Sequence, residues 1–174
     1  MTMRFAITGT PGTGKSAVAR ELRGRGYDVL DMTSFIKDNG LREEYDAERD
    51  TYAVDVEKLN DALSGMDDCI FEGHLAHFMD VDGIVVLRCS PGILAGRLRD
   101  RGYSESKVRE NVEAELLDVI LCESVDSGIP TFAVDTSSAP VGDTAGSIED
   151  IMKGNGDLYP PDSVSWAEEM DQWF

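Results

Sequence analysis

Apolar runs alternate with helical spacing along most of the chain, and the alternation predicts its elements. Residues 3–8 are apolar enough for a buried strand, and residues 17–22 continue as a helix. Gly24 and Gly26 stop that helix, and residues 27–31 form a short second strand. A brief helix over 34–39 ends at Gly40, residues 41–54 are polar and irregular, and a helix follows near 55–63. Residues 69–72 and 84–88 are continuous apolar runs, as expected of strands covered on both faces of a parallel sheet. Pro91 opens a helix to about Arg101, and Tyr103-Ser104 interrupts it. One long helix from 105 to 125 then carries Val108, Val112, Leu116, Val119 and Ile120 as its apolar stripe. Residues 130–134 make a fifth strand and 147–152 a short helix. Beyond a Gly- and Pro-rich linker, Trp166, Met170 and Trp173 recur at i, i+4, i+7, the spacing of a helix docked on the body or of a partner-binding peptide. Such alternation predicts an α/β fold: a three-layer α/β/α sandwich around a five-stranded parallel sheet.

Between the first strand and first helix, residues 9–16 read GTPGTGKS, a complete G-x-x-x-x-G-K-[ST] phosphate loop. Gly9, Gly12 and Gly14 let the backbone curl until successive N–H groups face an anion. Lys15 supplies a point charge for β- and γ-phosphates, and the Ser16 hydroxyl suits Mg²⁺. The helix behind them adds its positive end. The loop implies a nucleoside triphosphate as ligand.

Composition narrows the setting. The 174 residues suffice for one domain with a true core, and no apolar run is long enough to span a membrane. A first strand starting at residue 3 leaves no room for a secretory signal, so a cytoplasmic location is expected. Cys69, Cys89 and Cys122 lie far apart in apolar stretches and read as reduced core thiols. The net charge of −18 disfavours nucleic-acid and membrane surfaces, and no basic patch offsets it. Only five lysines stand among the sixteen basic residues, a dispersed Asp/Glu-rich surface suited to a halophilic host that accumulates salt.

Arg97 and Arg101 lie four apart, on one face of a helix that breaks at Gly102-Tyr103. That is the form of a lid closing over transferring phosphates, although Arg97, Arg99 and Arg109 would also suit a solvated face. Arg88 ends a strand at the sheet edge where open α/β folds bind ligands, which favours a phosphate contact. His77, three residues after His74, could form a weak metal pair but better suits a supporting role.

Several separate motifs together resemble the short-lid adenylate kinase-like family of archaea and eukaryotic nuclei. They are GTPGTGKS at 9–16, YDAERDTYAVD at 45–55, FEGHLAHF at 71–78, VVLR at 85–88 and RLRDRGYSESKVRENVEAEL at 97–116. The similarity runs from residue 3 to about 153 and implies a kinase domain of the nucleoside monophosphate type, followed by a linker and docking helix over 154–174. It implies transfer of the ATP γ-phosphate to AMP or a related monophosphate, with ATP hydrolysis and a part in small ribosomal subunit assembly. Implied partners are a small-subunit precursor and a platform ribosomal protein; a monomer is expected. The alternative is mainly an ATPase switch with little kinase activity.

Residue by residue, the resemblance puts Gly12, Thr13, Gly14, Lys15, Ser16, Ala17, Arg101 and Ala139 at the nucleotide. Lys15, Arg97, Arg101 and His74 would be catalytic, His74 by orienting an attacking water. Ser16 and Glu72 would hold Mg²⁺. Residues 32–54 match the monophosphate-binding insertion, with Lys37, Arg88 and Asp50 at the acceptor and a lid over about 100–110. Lys37 stands where relatives carry arginine and cannot make the bidentate fork. Asp46, Glu48, Asp50 and Asp55 match an acidic stretch of the family, or simply a solvated loop.

Overall fold

Five parallel strands form the central sheet of the computed structural model, which describes residues 3–48 and 51–174. In chain order the first elements are β1 (Arg4–Gly9), α1 (Lys15–Gly24), β2 (Val29–Asp31) and α2 (Met32–Asp38). A hairpin of β3 (Arg42–Asp46) and β4 (Thr51–Val54) follows, then α3 (Val56–Leu63), β5 (Cys69–Glu72) and β6 (Gly83–Arg88). The chain continues through α4 (Pro91–Asp100), α5 (Glu105–Leu116), α6 (Val119–Asp126), β7 (Thr131–Asp135) and α7 (Val141–Asp150). The strand order is β2-β5-β1-β6-β7, so the strand feeding the phosphate loop is central. The order reverses beside β1, which opens a crevice at the carboxyl ends of the strands.

Pleating assigns neighbouring residues to opposite layers. Ile7, Ile70, Val85, Leu87 and Val134 pack with Val18, Ala19 and Leu22 of α1 and Ala145 and Ile148 of α7. Ala6, Phe71, Ile84, Val86 and Ala133 pack with Met32 and Ile36 of α2, Leu59 and Leu63 of α3 and Leu121 of α6. This is the expected three-layer sandwich. A smaller third cluster joins α4 to α5 through Leu94, Ala95, Leu98, Val108, Val112 and Leu116. Trp166, Met170 and Trp173 cover it, together with Tyr103 from the turn between those helices.

Five expectations need correction, the first being the short helix placed at 147–152, which is α7 over Val141–Asp150. The stretch expected to be irregular over 41–54 contains β3 and β4, which pair antiparallel with Tyr45 opposite Tyr52. Their rings meet edge-on at 5.2 Å, and the Arg42 guanidinium lies 4.6 Å from the Tyr52 centroid. Cross-strand side-chain pairs replace burial here, so no apolar alternation betrays the strands. The long helix over 105–125 is two helices, because Asp118 adopts the left-handed conformation with φ of 53°. An Asp tolerates that region, and here its carboxylate accepts a bond from Arg88. Cys122 is exposed, unlike Cys69 and Cys89. The terminal segment forms short 3₁₀ turns at Pro161–Ser163 and Ala167–Gln172 in place of one α-helix.

Candidate active site

The phosphate loop is built by tight backbone packing. Gly12 has φ of +93°, and a Cβ there would sit 2.8 Å from Leu94 Cδ1 and 3.0 Å from Leu98 Cδ2. Glycine therefore supplies both the left-handed turn and the close approach of α4. The Thr10 carbonyl accepts from Thr13 N (3.2 Å) and Thr13 Oγ1 (2.8 Å). Thr136, just past β7, donates its hydroxyl to Thr13 O at 2.6 Å. Lys15 Nζ donates to Gly9 O (2.7 Å) and Thr10 O (3.1 Å). Burial brings the Lys15 ammonium down to about 8, with Glu72 opposing and Arg101 reinforcing the shift. A polyphosphate arriving here would favour the positive form further.

Two cavities meet at this loop. The first, about 380 Å³, is lined by Gly12, Thr13, Gly14, Ala17, Arg97, Arg101, Thr136 and Ala139, among others. The second, about 490 Å³, gathers Lys15, Ser16, Glu72, His74 and Arg101. Its other walls include Thr33 of α2, Thr51 of β4, Asn111 of α5 and Ile120 of α6. Arg101 borders both, at the turn that ends α4.

Arg97 borders only the first. Its Nη2 donates to Thr136 O at 2.7 Å and its Nη1 to Gly12 O at 3.3 Å, which ties it to backbone rather than to the Lys15 side of the cleft. Lys37 is exposed near the end of α2 and lines neither cavity. Asp50 lies outside the described residues. Asp46 accepts from Glu48 N at 3.0 Å, and Asp55 caps α3 by accepting from Lys58 N at 3.2 Å.

Glu72 is only 6% exposed, and burial raises its carboxyl above the usual range, partly offset by Lys15. A cation would relieve that cost. Among the described residues no group of three or more His, Cys, Asp or Glu side chains is set to hold a metal. Mg²⁺ needs no such cage, since one or two carboxylates plus phosphates and water suffice, so Ser16 and Glu72 suit it. His74 is exposed on the cleft wall, and desolvation followed by the Lys15 charge pushes its imidazole down. His77 is buried between Thr8 Oγ1 (2.8 Å to Nδ1) and Glu123 Oε2 (2.7 Å to Nε2), a supporting arrangement.

Arg88 is 1% exposed at the end of β6 and lies on neither cavity wall. Its Nε donates to Glu115 Oε1 at 2.7 Å, and Nη2 donates to Glu115 O at 3.2 Å and to Asp118 Oδ1. Among the described residues, Nη1 is the buried side-chain nitrogen left without a partner. Sequence reasoning missed Glu115, Asp118 and Thr136. Glu115 had a signal, for it falls three residues after Val112 on the apolar stripe of α5, where a carboxylate demands a partner.

Comparison with known proteins agrees with this geometry. Residues 6–118 match the AAA domain family. A protein of Archaeoglobus fulgidus named "Putative adenylate kinase" is 38% identical over 173 residues, covering 97% of this chain and 94% of its own. One of the same name from Natronomonas pharaonis is 44% identical over 154 residues, covering 87% and 91%. Among solved structures, a deoxyadenosine kinase from M. mycoides superposes with a TM-score of 0.59 at 20% identity, over 87% of this chain and 98% of that one. A shikimate kinase from Bacteroides thetaiotaomicron reaches 0.64 at 14% identity, over 88% and 99%. At such low identity the structures speak to the fold, whereas the sequence matches speak to descent. The chain belongs to the AAA domain family and, within it, to the adenylate kinase-like proteins of archaea.

Proposed function

We propose that the chain is an ATP-dependent nucleoside monophosphate kinase that phosphorylates AMP or a close relative. One observation carries the reading: the second cavity joins the phosphate-loop residues Lys15 and Ser16 to Thr33 and Thr51 of the insertion. A donor site and an acceptor-sized chamber are thus continuous, which a protein that only bound ATP would not need. The names of the archaeal relatives support the same choice.

In the proposed reaction an acceptor phosphate oxygen attacks the γ-phosphorus. That P–O bond forms as the bond to the bridging oxygen breaks, and ADP departs with its electron pair. Lys15 and the loop N–H groups hold the β- and γ-phosphates, and Arg101 follows charge as it spreads over the transferred group. Ser16 and Glu72 would hold Mg²⁺, which supplies further neutralisation when bound. Closure of the turn at 101–104 would exclude water.

A second reading, an ATPase switch, is favoured by one feature. His74 is exposed in the same chamber as Lys15, where it can orient a water. The measurement is ADP formation in high KCl with and without AMP. Turnover that requires AMP supports the kinase; AMP-independent turnover that His74→Ala lowers about 10²-fold supports the switch. Association with a small-subunit precursor, measured by co-sedimentation, would extend the switch reading alone.

A further inference from the structure

Four donors converge on the Glu115 carboxylate, which is 3% exposed. Thr10 Oγ1 donates to Oε2 at 2.7 Å. Arg88 Nε, Cys89 N and Trp166 Nε1 all donate to Oε1, at 2.7, 3.2 and 3.1 Å. These donors come from the phosphate loop, the end of β6, the connection after it and the C-terminal segment. Thr10 in turn offers its carbonyl to Lys15 Nζ. One carboxylate therefore braces the donor side through Thr10 and grips Arg88.

The terminal segment has a mundane reason to dock, since Trp166, Met170 and Trp173 cover the apolar cluster of α4 and α5. Apolar cover does not require an indole N–H aimed at a carboxylate that three other groups already satisfy. Trp166 also places its ring centroid 5.9 Å from the Arg88 guanidinium carbon. The segment further closes on the lid: Tyr103 shares its cluster, and Arg109 Nη2 donates to Trp173 O at 3.2 Å.

We propose that Glu115 is a positioning residue for phosphoryl transfer and that Trp166 tunes its hold on Arg88, making the C-terminal segment part of the acceptor side of the site. The inference rests on the kinase reading given above. A bond from Trp166 to Oε1 draws on the same lone pairs that hold Arg88 Nε, so it loosens that grip. Arg88 lines neither cavity here, and once its grip is loosened the unpartnered Nη1 leads it toward an acceptor phosphate. Without the indole N–H, Oε1 holds the guanidinium harder and acceptor binding weakens. Conversely, an acceptor that draws Arg88 away must alter the field around the Trp166 ring.

Both tryptophans of the chain lie in this segment, so fluorescence reads it directly. In a Trp173→Phe protein, AMP without ATP should change Trp166 emission saturably, at concentrations matching the KM for AMP. Trp166→Phe keeps an aromatic ring but removes the donor. It should raise the KM for AMP about tenfold, as expected for one lost bond to a charged group, while the KM for ATP stays within about twofold. A purely structural role would lower the melting temperature and active fraction without separating the two substrates. An active kinase whose Trp166 emission ignores saturating AMP, or whose two KM values move together in Trp166→Phe, overturns the coupling alone. A parent protein that forms no ADP from ATP plus AMP overturns the kinase reading and this inference with it.

Discussion

Arg97 and Thr136 are fastened together across 39 residues of chain, guanidinium Nη2 to backbone carbonyl at 2.7 Å. Through Gly12 O the same guanidinium also reaches the phosphate loop. Arg97 thereby shapes the first cavity, while Arg101 four residues on reaches both. A residue that builds a binding wall acts in ground state and transition state alike. Arg97→Ala is expected to raise the KM for ATP about tenfold with a smaller change in kcat. Steady-state kinetics at saturating AMP would check this, and a fall confined to kcat would contradict it.

Arg101 should behave in the opposite way. It is exposed at the end of α4, yet its charge reaches Lys15 closely enough to lower that ammonium. An arm of this kind contacts phosphate chiefly when the lid closes. Arg101→Ala should cost about 10²-fold in kcat and leave the equilibrium affinity for ATP within a few fold. Parallel losses in affinity and turnover would instead mark Arg101 as a ground-state contact.

The contrast between these arginines shows where sequence reading stops. Their shared helix face was legible from the four-residue spacing, but Arg97's partners come from Gly12 and Thr136, which no local pattern links to it. The strands Cys69–Glu72 and Gly83–Arg88 were legible because burial on both faces makes continuous apolar runs. The β3–β4 hairpin was hidden because its rings and cations face solvent. Asp118 concealed the break between α5 and α6, since its reason for leaving the helix is Arg88, thirty residues earlier. The loop motif named Lys15 and Ser16 outright. Glu115 was discoverable only as a misfit on an apolar stripe.

His77 gives stability a pH dependence of predictable sign. Glu123 can only accept, so its bond fixes the proton on Nε2 and leaves Nδ1 to accept from the Thr8 hydroxyl. Burial, the largest influence, holds the ring below its ordinary value near 6.5, although Glu123 pulls upward. A depressed histidine binds its proton more readily when unfolded. Its contribution is therefore complete above about pH 6.5 and is lost as pH falls from there toward the lower folded value. Melting curves between pH 7.5 and 5 should fall less steeply for His77→Gln than for the parent, after allowance for the lower starting stability. Equal slopes would show that His77 does not titrate on unfolding.

Salt should stabilise the molecule, because its excess charge is large, of one sign and spread apart. Thirty-four acidic side chains face sixteen basic ones, so at least eighteen carboxylates have no cationic side chain of their own. Individual surface pairs do little against this: Arg25 bridges Glu21 of α1 and Glu149 of α7, but such pairs are worth about 1 kcal/mol or less and weaken with salt. Repulsion among the unpaired carboxylates acts over longer range, and the screening length shrinks from about 10 Å at 0.1 M to about 3 Å at 1 M salt. The two effects oppose each other, and eighteen excess charges outweigh a handful of bridges. We propose accordingly that the chain works in a salt-rich cell, and its melting temperature should climb on the order of 10 °C between 0.1 and 2 M KCl. The rise should be steepest below about 1 M, where screening changes fastest, which separates it from the steady gain that salting-out would give. Arg25→Ala should cost more at the low-salt end than at the high. A melting temperature that peaks without added KCl would refute both the repulsion argument and the salt-rich setting.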